Sequence, residues 1–283
     1  MNKIIVAIDF SECSINAFLH ALSIGDACGA ELILLWVEKA SSEKYKYIDK
    51  SKDPQKEVQQ AMENLIAKHQ PDHPELKMYW KIRKGKIYKE VTDEAKAIKA
   101  MLIVTGTHGA SGFEEFWIGS NANKIISASI CPVITIRGGI NIKRPLTKIV
   151  LPIDSAEETR QKASFVGYLA KKHHATIYIL KLNTSMLKAM RQKVDLYAAQ
   201  VIRHCEEEKI PFHVDQVDCM NISDATVVYA KKIDANLIAI MTAQETKTSN
   251  IFLGSYAHQM VNNSPIPVLS IRPKDTLAAG QGF

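Results

Sequence analysis

The stretch of this chain best suited to chemistry is Thr105-Gly106-Thr107-His108-Gly109, followed nine residues later by Gly119-Ser120-Asn121. A glycine has no Cβ, so its backbone can pass close to a sugar or a phosphate and can take positive φ. Gly119-Ser120 falls at the expected start of a helix over Asn121–Ser129. There, unpaired N–H groups and the helix dipole favour an anion. The Ser120 hydroxyl can cap that helix or donate to a phosphate oxygen. Ala110-Ser111-Gly112 gives the intervening segment enough flexibility to fold over a ligand. The chemistry implied is capture of a polyphosphate by backbone. A valine at Gly109 or Gly119 is expected to collide with that phosphate and to leave the core untouched.

Other nucleotide loops fit worse. No G-x-x-x-x-G-K-[ST] string occurs, so a Walker A loop is excluded. A dinucleotide fingerprint needs its glycines after the first strand, where Asp9-Phe10-Ser11 stands instead. The Ser-Gly-Gly loop of adenylating pyrophosphatases is missing as well. Five cysteines, an odd number with no C-x-x-C pair, read as free thiols, and the nine histidines show no metal-ligand spacing. His173-His174 suits a helix end better than a metal.

The elements that must position the glycines come in two copies. Lys3–Asp9 (KIIVAID) reads against Lys148–Asp154 (KIVLPID) at an offset of 154 − 9 = 145, and Leu32–Val37 against Ile177–Leu182 at the same offset. Further on, Gly119-Ser120 matches Gly254-Ser255 at 254 − 119 = 135, and Cys131–Arg137 matches Ile266–Arg272 in that register. Two constant registers separated by one change of length mean a duplication with a shortened loop. The first copy predicts strands at Ile4–Ile8, Leu32–Val37, Leu76–Ile82, Leu102–Val104 and Val133–Ile136. Helices are predicted over Ser14–Ala27, Gln55–Lys68, Ile87–Ile98 and Asn121–Ser129, with a polar loop over Lys39–Lys56. Strands alternating with helices give βαβ crossovers, hence a parallel sheet covered on both faces. Ligands of such sheets sit beyond the carboxyl ends of the strands, which directs attention to Asp9, Val37-Glu38, Gly85 and Gly106.

Composition sets outer limits. The 46% hydrophobic and 23% charged residues are those of an ordinary globular protein. No apolar run is long enough to span a bilayer, and the start lacks a signal peptide's apolar core, so a cytoplasmic protein is expected. The net charge of +6 divides as 18 − 17 = +1 over residues 1–140 and 18 − 13 = +5 over 141–283. It is scattered and mixed with acids such as Glu206-Glu207-Glu208, which argues against nucleic acid as a partner.

The pattern G-x-x-G-x9-G-[ST] after a buried strand, with V-x-x-D-F-S at strand one and a closing C-P-V strand, resembles the universal stress protein family. The resemblance covers both copies. It implies two tandem, doubly wound α/β domains with parallel five-stranded sheets, Rossmann-like and of the adenine nucleotide alpha hydrolase-like kind, packed as an intramolecular pseudo-dimer through their last strands. The domains would be 1–140 and 146–283, divided at the Gly138–Leu146 linker. It further implies ATP, often with Mg²⁺, bound by the first domain alone. Asp9 and Val37 would contact the adenosine end, Ala7 and Ile8 line its pocket, and Gly85 and Gly106 approach the ribose. Thr105 and Thr107 would belong to the same nucleotide-binding loop, His108 would supply backbone, and Gly109, Gly119, Ser120 and Asn121 would hold the phosphates. Plainer uses stay open: Asp9 can cap the first helix with Ser11, Gly85 can be a turn glycine, and Lys84 or Lys86 can be a solvated cation or reach a phosphate.

In the second copy Met241 replaces Gly106, Gln244 replaces Gly109 and Met220 replaces Gly85, while Asp154 and Gly254-Ser255 are kept. The expectation is that Met220, Met241 and Gln244 fill the cavity, so the second domain is degenerate, and capping alone accounts for its Gly-Ser. Three functions compete. One is an ATP-binding stress-response module acting on an unidentified protein partner. The others are a slow ATPase or nucleotidyl-transfer enzyme and a nucleotide-independent scaffold. Further association of pseudo-dimers into homo-oligomers is left open.

Overall fold

The structure, a computed structural model, describes residues 2–39, 54–108, 119–138, 145–242 and 253–273. The amino-terminal half runs β1 (Lys3–Ala7), α1 (Glu12–Cys28), β2 (Glu31–Lys39), α2 (Pro54–His69), β3 (Met78–Gly85), α3 (Ile87–Ala97), β4 (Leu102–Gly106), α4 (Ser120–Ala128) and β5 (Val133–Ile136). The carboxy-terminal half repeats it as β6 (Lys148–Ile153), a 3-10 turn at Glu157–Arg160, α5 (Ala163–His173), β7 (Thr176–Asn183), α6 (Lys188–Glu207), β8 (Phe212–Asp218), α7 (Ile222–Lys232), β9 (Leu237–Met241), α8 (Ser255–Asn263) and β10 (Val268–Ile271). Local chemistry fixes the ends of α1. The Ser11 hydroxyl accepts from the Ser14 N–H at 3.3 Å, and Gly29 closes the helix in the left-handed region at φ 58°.

The strands form one sheet in the order β3-β2-β1-β4-β5-β10-β9-β6-β7-β8. Each half is parallel within itself, and the halves join where β5 meets β10 antiparallel. Leu269 pairs with Ile134, while Val268–Thr135 and Ser270–Val133 flank that pair. Since 269 − 134 equals the repeat offset of 135, each central residue faces its own counterpart. A pseudo-twofold axis therefore passes between them, and the two tandem halves pack as the expected pseudo-dimer. Both apolar edges disappear into the joint.

Alternate strand residues feed two cores. Ile4, Val6, Leu32, Leu34 and Val104 pack towards α1 and α2, while Ile5, Leu35, Val37 and Ile103 pack towards α3 and α4. The axis brings α1 against α5. There the Asn2 side-chain amide donates to the Tyr168 hydroxyl at 2.9 Å, and Cys28 lies beside the same phenol. His20 and His173 meet in the same joint, each with a buried Nε2 that has no hydrogen-bond partner among the described residues. Arg137, just after β5, donates to the carbonyl of Asn262 near the carboxyl end of α8 at 2.6 Å.

Burial, reinforced by His173, pushes the His20 imidazole down to about 4, and burial lowers His173 too. An unfolded chain takes up a proton at His20 below about 6.5, whereas the folded one does not until about 4. Stability from this group is therefore complete above 6.5 and is lost as pH falls through that window, by up to about 1.4 kcal/mol per pH unit for His20. Urea unfolding between pH 7 and 4 should show this slope, and His20→Leu should remove about that much of it.

Candidate functional site

The strand order reverses between β1 and β4, which opens a crevice beyond their carboxyl ends. Ala7 pairs with Leu35 on one side and Thr105 on the other, and packs on the α3–α4 face beside Val37. Gly85 ends β3 opposite Lys39. Ala7, Val37, Gly85, Thr105 and the amino end of α4 thus border one crevice. Ile8 does not share it by its side chain, which is buried in the α1 core, and only its backbone lies at the rim, donating to the Leu35 carbonyl at 3.0 Å. Asp9 follows directly. Its Oδ1 accepts from the Ser11 N–H at 3.1 Å and the Ser11 hydroxyl at 2.6 Å, so it braces the cap of α1 from the rim of the crevice.

The glycines serve different ends. A Cβ on Gly106 would lie 2.7 Å from Cys13 Cβ and 2.8 Å from the Cys13 carbonyl carbon. The space freed at Gly106 is thus filled by the first turn of α1, where the sequence pattern had suggested a sugar. Gly85 has φ 155°, which L side chains rarely adopt, and a Cβ there would strike the Glu90 side chain. Gly119 directs its Cβ position at the Thr107 carbonyl, 3.1 Å away. A valine at 119 therefore presses on protein backbone before it meets any phosphate, contrary to expectation. Gly109 and the segment Ala110-Ser111-Gly112 lie outside the described residues.

At the start of α4, Gly119 is the N-cap, and its N–H donates to the Thr107 carbonyl at 2.8 Å. Ser120, exposed, is the first helical residue and does not cap, and no side chain caps this helix. By helix geometry the N–H groups of Ser120, Asn121 and Ala122 have no acceptor within α4. Thr107 is held by its own N–H to the Ile136 carbonyl at 2.9 Å. The Thr107 hydroxyl meets His108 Nδ1 at 2.9 Å, and His108 Nε2 is buried without a partner among the described residues. Of the basic residues nearby, Lys81 and Arg83 are drawn to the buried Glu94, whose carboxyl they hold below the usual range against the cost of burial. Lys84 stands 3.9 Å from Glu38. Among the described residues no group of three or more His, Cys, Asp or Glu could hold a metal ion.

The second half departs from this plan. Met241, in place of Gly106, carries a side chain into the α5 core. Glu12, the first residue of α1, corresponds to 12 + 145 = 157, yet α5 starts six residues later, at Ala163, behind a 3-10 turn. The turn leaves Lys162 buried, its Nζ donating to the Thr159 carbonyl at 2.6 Å. Burial pulls that amine down to about 8, with Asp154 and Glu158 opposing the shift. Met220 was expected to fill the cavity but points fully into solvent, at 102% exposure, because it sits on the outer rim between β8 and α7. Gln244 lies outside the described residues. Gly254 is the N-cap of α8, again without a side-chain cap, so capping by Ser255 does not explain the retained Gly-Ser. Sequence reasoning passed over Tyr256, which stands where Asn121 does in the first half (256 − 121 = 135) and whose hydroxyl is buried.

Comparison with known proteins agrees with this architecture. Residues 1–137 and 145–272 each match the model of the family described as the universal stress protein family. Universal stress protein MJ0531 of Methanocaldococcus jannaschii is 28% identical over 142 residues, covering 48% of this chain and 81% of that protein. Universal stress protein YxiE of Bacillus subtilis is 29% identical over 162 residues, covering 48% of this chain and 99% of its own. The crystal structure of a universal stress protein from Archaeoglobus fulgidus superposes with a TM-score of 0.73 at 18% identity, covering 97% of each chain, which supports the fold.

The packing at Gly106 yields a stability prediction. Gly106→Ala should lower the unfolding free energy by about 1–3 kcal/mol, because strand and helix must separate to admit a methyl group. Gly119→Ala, facing one carbonyl at 3.1 Å, should cost less in the same urea titration.

Proposed function

Because the chain belongs to the universal stress protein family, we propose that its amino-terminal half binds ATP and that nucleotide occupancy sets the conformation or partner choice of a cytoplasmic stress-response protein. In this reading residues 1–140 form the nucleotide-binding domain and 146–283 a degenerate partner domain. The observation that carries it is the convergence of Ala7, Val37 and Gly85 with the uncapped amino end of α4 at one strand-order reversal. An apolar floor at Ala7 and Val37 suits a purine. The flat edge at Gly85 suits a ribose. The N–H groups of Ser120 and Asn121, at the positive end of a nine-residue helix, suit phosphate oxygens. Thr105, Thr107 and His108 would shape the backbone below the phosphates, with Gly109 beside them. Mg²⁺ would be carried chiefly by the phosphates, since the described residues offer it no cluster of ligands.

The direct test is to denature purified protein, examine the supernatant for adenine nucleotide, and incubate native protein with Mg-ATP. Retained ATP with no ADP or AMP formed is the expected result. Rapid multiple turnover would replace this reading with an enzymatic one, and absence of both nucleotide and thermal shift would replace it with a scaffold. A charge at the helix start separates binding from folding. Ser120→Asp should leave the melting temperature unchanged or slightly raised, since an acid suits a helix amino end. By repelling phosphate it should weaken ATP by about 10–100-fold.

A further inference from the structure

The second half retains the strand ends, the acid and the helix start of a nucleotide crevice, so something specific must distinguish it from the first. α4 and α8 are both nine residues long and both begin behind a glycine N-cap of near-identical conformation, at φ −58°, ψ 144° and φ −57°, ψ 152°. Backbone alone does not separate the two crevices at this point. The side chain at the second helical position does. It is Asn121 in the first half and Tyr256 in the second.

Tyr256 does not project into solvent. It packs against the core that includes Tyr229 and Ala230 of α7, as Cys219, Ile222 and Leu253 also do. Its hydroxyl is buried beside the Thr226 side chain and within electrostatic reach of Asp154 and Cys219, and the phenol is held well above its ordinary range. Burial is the largest cause of that shift. These neighbours have counterparts in the first half. Asp154 corresponds to Asp9 at the offset of 145, and Cys219 to Lys84 and Thr226 to Val91 at the offset of 135. The hydroxyl therefore lies among the equivalents of Asp9 at the crevice rim, Lys84 at the end of β3 and the core residue Val91 on α3. We infer that Tyr256 closes the second crevice from within, and that tyrosine or asparagine at this one helix position decides which half of the chain admits an adenine nucleotide. The inference rests on the ATP reading of the first half for its ligand, but not for the filling of the second. Met220 is excluded as the plug by its full exposure, and Met241 lies in the core on the opposite face of the sheet.

Two measurements test it. The first is equilibrium dialysis with labelled Mg-ATP on the full chain. Wild type should bind one per chain. Asn121→Ala should still bind one, weakened no more than about tenfold, the scale of one lost hydrogen bond. Asn121→Tyr should bind at least about 100-fold more weakly with unchanged circular dichroism. Tyrosine behaving like alanine would overturn the inference. The second needs no nucleotide and no variant: nitration with tetranitromethane, read peptide by peptide. Tyr79, 49% exposed, should react and Tyr256 should be protected. Equal reaction at both would overturn the filling of the crevice. A folded wild type that binds no ATP would count against the reading of the first half, and nitration would still decide whether the second is closed.

Discussion

Helix α1 meets strand β4 at Gly106, where the strand contributes no side chain and the Cβ and backbone of Cys13 press against it. The 2.7 Å that would separate a Cβ at Gly106 from Cys13 leaves room for nothing larger than hydrogen. Because the helix can come so close, its first turn starts at Glu12, its cap at Ser11 reaches back to Asp9, and the rim of the crevice is fixed. The second half shows the effect of lifting the constraint. With Met241 in that place, the helix begins six residues late, the intervening chain tightens into a 3-10 turn, and a lysine is left buried behind it.

The crevice is tied to the joint between the halves by a short run of hydrogen bonds. Thr107, which carries the N-cap of α4 on its carbonyl, is itself bonded to Ile136 at the end of β5. One residue on, Arg137 holds the carboxyl end of α8 in the other half, and Gly138 lies against Cys13. A ligand that pulls on the start of α4 would therefore act on the strand that forms the pseudo-twofold joint.

Much of this was legible in the sequence, and the parts that were not share a cause. Two constant offsets marked the duplication, and unbroken apolar runs marked the buried strands, since both are long patterns that depend on no single contact. Val133–Ile136 was placed without error because four apolar or β-branched residues between Pro132 and Arg137 admit one reading. Individual roles were less legible. Gly106 signalled a close approach correctly, but sequence cannot say whether helix or ligand makes it. The side of the sheet taken by Ile8 depends on a register set by neighbouring strands. Met220 looked like a filler because its counterpart is a crevice glycine, yet a loop residue can turn outward at little cost. Tyr256 carries no motif signal of its own, since its counterpart Asn121 is marked only as one of the residues that would hold the phosphates. The available signal was a large aromatic residue directly after a Gly-Ser helix start.

The proposed difference between the two halves is one crevice open and the other closed by its own side chain. A crystal grown with Mg-ATP addresses this most directly. Nucleotide density bounded by Ala7, Val37, Gly85 and the start of α4, with the Tyr256 ring alone between Asp154 and Thr226, is the predicted result. Density in the second crevice, or a first crevice empty at saturating nucleotide, would contradict it.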